Sequence, residues 1–116
     1  MTDLSQYAEI AKRQANANDP AGLTEYLLEI SGAISSVSEL TMGLEAVMLR
    51  KEREYRDQVM AAEPGASEAR IGAAVQALTV EERIAVKQAE SLLKALHLRF
   101  KAVQSALSYR KAEMRI

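Results

Sequence analysis

Residues 20–48 read PAGLTEYLLEISGAISSVSELTMGLEAVM, and the spacing of the apolar positions in this stretch decides the fold. Leu23, Leu27, Ile30, Ile34, Val37, Thr41, Leu44 and Met48 follow one another at steps that alternate four and three, and the rhythm continues through Lys51 and Tyr55. A strand would bring every second residue to one face, whereas a mean step of about 3.5 residues keeps a narrow seam turned toward a neighbouring helix. Tyr26, Ala33, Leu40 and Val47 widen the seam along one flank. The stretch predicts one long amphipathic helix running from Pro20 to about Ala62.

The residues on either side punctuate it. Upstream, Asn16-Ala17-Asn18-Asp19-Pro20 is a break: Asp19 can accept a backbone N–H as a cap, and Pro20 stands where its missing donor costs nothing. A shorter helix is expected before it, over about Leu4 to Ala17, with Leu4, Tyr7, Ala8, Ala11 and Ala15 on a thin apolar side. Downstream, Glu63-Pro64-Gly65-Ala66-Ser67 ends the long helix, because proline cannot continue the hydrogen-bond ladder and glycine tolerates a reversal. Ser67 can cap a short helix over about Glu68 to Leu78, where Ile71, Ala74, Val75 and Leu78 share a face. Thr79-Val80-Glu81-Glu82 reads as a capping box, Thr79 reaching forward and Glu82 reaching back. The last helix then repeats the seam through Val86, Ala89, Leu93, Leu96, Phe100, Val103, Leu107 and Met114, interrupted by Arg110.

The expectation is an all-α protein, one helical domain over residues 1–116, with helices at about 4–17, 20–62, 68–78 and 80–114. At ~1.5 Å per residue the long helices would measure ~63 Å and ~52 Å, against a radius of gyration near ~13 Å for a compact chain of this length. An antiparallel, coiled-coil-like hairpin whose seams are completed by other copies is therefore favoured over a bent globule. Leu27, Ile30, Ile34, Val37, Leu44, Met48, Leu93, Leu96, Phe100, Val103 and Leu107 are the residues expected in that core or oligomer seam. Gly32 and Gly43 interrupt the long helix at a cost of about 1 kcal/mol each relative to alanine. Close approach of a neighbouring helix at Ser31 to Ser38 is one explanation, and a hinge or a groove for a partner is the other.

Composition narrows the function. There are 15 Lys plus Arg against 16 Asp plus Glu, so overall charge does not call for a polyanionic partner. The balance is uneven, since residues 1–78 carry 12 acids and 7 bases while residues 79–116 carry 4 acids and 8 bases. The absence of cysteine excludes disulfides and thiolate metal sites and fits a reducing compartment. MTDLSQYAEIAKRQ at the start does not have the pattern of a signal peptide, and no apolar run approaches the ~18 residues of a membrane span. A cytoplasmic protein without membrane contact is expected.

No catalytic constellation stands out. His97 is the only histidine, and its helical neighbours Leu93, Lys94, Phe100 and Lys101 suit neither a metal nor a proton relay. Glu81 and Glu82 diverge around the helix in a first turn, where acids favour the dipole. Glu25 and Glu29 stand one turn apart near another helix start. There is no nucleophile elbow, glycine-rich phosphate loop or paired-histidine zinc motif. Neither enzymatic activity nor a cofactor is expected.

Two surfaces could bind a partner. On the last helix Arg83, Lys87, Glu90, Lys94, His97, Lys101, Gln104, Ser108, Lys111 and Arg115 step by four and three, displaced roughly 100° from the apolar seam. This basic stripe reads as a solubilising edge paired with acids of the second helix, as a nucleic-acid footprint, or as a contact for an acidic protein. The run Arg50-Lys51-Glu52-Arg53-Glu54-Tyr55-Arg56-Asp57 reads as a solvated helix end laced by ion pairs, or as a docking surface built on Arg50, Lys51, Arg53 and Arg56.

EYRDQVMAAEPGASEAR at 54–70 and LKALHLRFKAVQSALSYRKAEMR at 93–115 resemble small all-helical accessory proteins of bacteriophages, encoded in early, recombination or anti-defence gene regions. That resemblance implies a phage setting and the host cytoplasm, and it assigns no residue a role. The leading expectation is an oligomeric helical protein that occupies the surface of another macromolecule, such as a host or defence protein. The alternatives are a DNA-binding accessory of recombination or replication that uses the basic helix, and a nucleotide sponge with a pocket between subunits.

Overall fold

A computed structural model describes residues 4–16 and 18–114, and all its secondary structure is helical. Four helices follow one another: α1 (Ser5–Lys12), α2 (Pro20–Ala62), α3 (Glu68–Leu78) and α4 (Val80–Met114). Among the described residues, no helix is long and apolar enough to cross a membrane. The contacts gather into two compact units, one of Met1–Leu40 with Ala89–Ile116 and one of Thr41–Gln88.

In the first unit, Leu23, Tyr26, Ile30, Ala33 and Val37 of α2 are buried together with Leu96, Val103 and Leu107 of α4, and Tyr7, Ile10 and Ala11 of α1 pack against them. Leu23, Ile30, Val37 and Leu96 are sealed from solvent. Each such side chain stabilises the fold by about 1.5–3 kcal/mol relative to exposure. Leu27, Ile34, Leu93 and Phe100 sit on the same seams but are only partly buried.

The first helix is shorter than the expected span from Leu4 to Ala17: it stops at Lys12, and Arg13–Asn16 leave the helical path. Ala17 lies outside the described residues. The physical reason is tertiary. A helix end leaves its last carbonyls without intrahelical donors. Here the Tyr26 hydroxyl lies 2.6 Å from the Ile10 carbonyl oxygen and 2.9 Å from that of Arg13. Arg99 adds a donor to the Arg13 carbonyl at 2.6 Å. These partners capture the carbonyls that a continuing helix would have used, and Arg13 takes extended dihedrals.

At the start of α2 the Leu23 N–H donates to the Asp19 carbonyl at 2.9 Å. The Asp19 carboxylate lies over the first turn so closely that a Cβ at Gly22 would come within 2.5 Å of its Oδ2. Gly32 and Gly43 behave differently, because a Cβ at either would meet nothing within 4 Å. Close helix approach does not account for these two glycines.

The second unit is organised by the turn and the short helix. The Ala66 N–H donates to the Glu63 carbonyl, and the Ser67 hydroxyl accepts the Arg70 N–H at 3.2 Å, capping α3. Arg70 grips Glu63 across the turn with two N–H groups, at 2.5 and 2.7 Å. Ile71 and Val75 of α3 are buried, as are Thr41 of α2 and Val86 of α4. Between α3 and α4 the break is the single residue Thr79, which is fully buried. Its hydroxyl turns back to donate to the Val75 carbonyl at 2.8 Å and accepts from Arg83 Nε at 3.1 Å. The expected forward cap is replaced by one that closes α3, which satisfies both roles of a buried hydroxyl.

Candidate interaction surfaces

The basic stripe divides into residues with different surroundings. Arg83 belongs to the second unit, where it donates to Glu52 at 2.7 Å and to the Thr79 hydroxyl. Lys87 is exposed in the same unit. In the first unit Lys94, His97, Lys101 and Lys111 are exposed along α4, and among the described residues none of the three lysines meets a carboxylate. Among the described residues of the stripe, the expected pairing with an acid of the second helix is made by Arg83. Arg115 lies outside the described residues.

The charged run on α2 is drawn apart by its neighbours. Lys51 bridges to Glu82 of α4 at 3.2 Å, and Arg56 donates to Glu68 of α3 at 2.7 Å. Arg50 approaches Glu54 on its own helix at 4.0 Å, and Arg53 is exposed without a carboxylate partner among the described residues. The Lys51 hydrogen bond to Glu82 raises the lysine above its ordinary value. The Glu82 carboxyl is held below the ordinary carboxylate range by a backbone hydrogen bond at its own residue and then by Lys51. Arg53, Arg56 and Arg83 line a common cleft with Leu49, Gly72 and Gln76. Two surfaces read separately from the sequence thus share a site.

Of the expected seam residues, Ile30, Val37, Leu96, Val103 and Leu107 are buried, whereas Leu27, Ile34, Leu44, Met48, Leu93 and Phe100 are intermediate. Among the described residues no group of three His, Cys, Asp or Glu side chains is placed to hold a metal ion. Glu81 is exposed, and Glu29 bonds to Arg13 of the chain before α2.

One cluster escaped the sequence reading. Arg13 and Arg99 place their guanidinium carbons 5.9 and 5.8 Å from the centroid of the Tyr26 ring, where cation and π-face attract. Arg110, read only as an interruption of the seam, bonds to Asn18 and Glu113. A base beside an apolar seam was the available signal, but helical spacing does not say which carbonyl such a base will meet.

Comparison with models of protein families, with curated proteins and with solved structures finds no match.

Proposed function

We propose that this chain is a non-enzymatic, phage-encoded interaction protein of the host cytoplasm that self-associates through α2 and α4 and presents the assembly to a macromolecular partner such as a host or defence protein. The observation that carries the self-association is the uneven sealing of the seams in the first unit. Leu27, Ile34, Leu93 and Phe100 remain partly open while their seam neighbours Ile30, Val37, Leu96 and Val103 are closed.

The antiparallel pairing of α2 and α4 in this reading is supported within the first unit by two contacts. Arg99 bonds to Tyr26 and Arg110 to Asn18, so contacts advance along one segment as they retreat along the other. Tyr26 and Arg99 face the end of α1. Leu27 and Ile34 on α2, and Leu93 and Phe100 on α4, lie roughly 80–120° around their helices from those two residues, on the side away from α1.

The occupant of that open side is a second copy, by charge complementarity. From Pro20 to Leu49, α2 carries Glu25, Glu29, Glu39 and Glu45 and no base; from Ser91 to Ala112, α4 carries Lys94, Arg99, Lys101, Arg110 and Lys111 and no acid. Arg99, Arg110 and Glu29 are engaged within the copy. Placing α4 of one copy over α2 of another about a two-fold axis covers the apolar side and sets the acidic stretch of α2 beside the basic stretch of α4. Light scattering tests this: a dimer or larger closed oligomer is expected at tens of micromolar, and Ile34→Glu with Leu93→Glu should give monomers of retained helicity. A native mass of 12.7 kDa sinks the reading.

A second reading, DNA binding, draws on Lys94, Lys101 and Lys111, which are exposed and meet no carboxylate among the described residues. It lacks interleaved aromatics on which bases could stack.

A further inference from the structure

The second unit contains a cleft of about 380 Å³ that the interaction reading leaves unused. Its volume falls in the range of small-molecule sites, about 300–1,000 Å³. The α2 wall supplies Arg53 and Arg56, three residues apart and so on one side of the helix, and α4 supplies Arg83. Glu52 is the single acid of the lining, so the lining carries an excess of two positive charges.

The three guanidinium groups are held to different degrees. Arg83 is anchored by Glu52 and by the buried Thr79 hydroxyl, which fixes its direction. Arg56 bonds to Glu68 by a single contact, and the Glu68 side chain is 77% exposed, so an anion entering the cleft competes with a weakly held partner. Arg53 has no carboxylate partner among the described residues. Guanidinium is a planar fork whose N–H groups match phosphate oxygens in pairs, which a lysine cannot do.

The other wall is apolar and open. Gly72 of α3 leaves free space where a Cβ would stand, so a flat group can approach the backbone there. Val75 lies beside it, Leu49 is 58% exposed at the rim, and the Gln76 side chain offers an amide.

We propose that this cleft binds a small phosphorylated molecule with a flat apolar portion, of the nucleoside monophosphate class. Its phosphate is held between Arg53 and Arg56 at the end nearest Arg83, and its flat part lies over Gly72 against Leu49. The site lies wholly within the second unit and does not depend on self-association.

Isothermal titration of the full chain with adenosine 5′-monophosphate, adenosine and inorganic phosphate tests the assignment. The monophosphate should bind and release more heat than either fragment. Arg53→Gln should weaken it at least tenfold, about 1.4 kcal/mol. Arg50→Gln, which alters a base outside the cleft, should leave binding unchanged, and circular dichroism checks that both variants stay folded. Gly72→Leu, which fills the floor, should weaken the monophosphate more than inorganic phosphate. No monophosphate binding at millimolar concentration, equal losses in Arg50→Gln and Arg53→Gln, or inorganic phosphate binding as tightly as the monophosphate overturns it. Binding of an acidic peptide without binding of the monophosphate overturns it also.

Discussion

Arg99 Nε donates to the Tyr26 hydroxyl oxygen at 3.2 Å, joining residues 73 positions apart, while Nη2 of the same guanidinium holds the Arg13 carbonyl. The pair ends α1 and ties it to both long helices. Tyr26→Phe removes one hydroxyl that serves as donor and acceptor, and should cost about 1–3 kcal/mol because the α1 carbonyls lose a buried partner. Arg99→Lys should recover only part of the loss of Arg99→Gln, since one ammonium cannot reproduce the fork. Urea denaturation measures the cost, and amide exchange should show the loosening concentrated in Ser5–Lys12.

Gly32→Ala and Gly43→Ala should each raise stability, by up to about 1 kcal/mol, since alanine restores helix propensity and nothing stands within 4 Å of the added methyl. The urea midpoint should rise with an unchanged slope. A fall at Gly32 would mean that a partner backbone closes on that face in solution.

Leu96→Ala should cost about 2–5 kcal/mol, because Leu96 is fully sealed. Phe100→Ala should cost less in dilute protein, and the difference should narrow as concentration rises and a second copy covers the ring. Denaturation at two protein concentrations checks this, and two concentration-independent values would count against the proposed dimer face.

Acid should loosen the second unit before the first. Glu82 and Glu63 both titrate below their ordinary values, Glu82 through a backbone hydrogen bond and Lys51, Glu63 chiefly through its hydrogen bond from Arg70. A depressed folded value means that the stabilisation is present above the unfolded carboxylate pKa and is lost as pH falls through the folded one. Amide exchange near the turn and at the start of α4 should quicken on that acid limb. Glu82→Gln should flatten the change at α4, leaving the part due to Glu63. At the alkaline end the Lys51 contribution has the opposite sign: it is present below the unfolded lysine value and disappears as pH rises through the elevated folded value.

Replacing Lys87, Lys94, Lys101 and Lys111 with Gln should leave the fold intact, because all four are exposed. The native chain should show no sub-micromolar DNA binding for these changes to abolish. Fluorescence anisotropy over a salt series decides it: tight, salt-sensitive binding lost in the variant would promote the nucleic-acid reading.

The four-and-three rhythm from Leu23 to Met48, the stops at Pro20 and Pro64-Gly65, and the Ser67 cap are legible in the chain because each acts within about one helical turn, a range over which neighbours in sequence are neighbours in space. The same local rules fail where a side chain looks outward from its helix. They give Arg99 an angle beside the seam but not the Arg13 carbonyl 86 residues away, and they place Thr79 before a helix without saying that the helix behind it will claim the hydroxyl. They put Arg53 and Arg56 in one charged run and Arg83 in another stripe, although the second unit folds all three around one cleft. A helical sequence specifies direction around an axis, whereas the partner met in that direction depends on how the helices pack, and that was decided only by the tertiary structure.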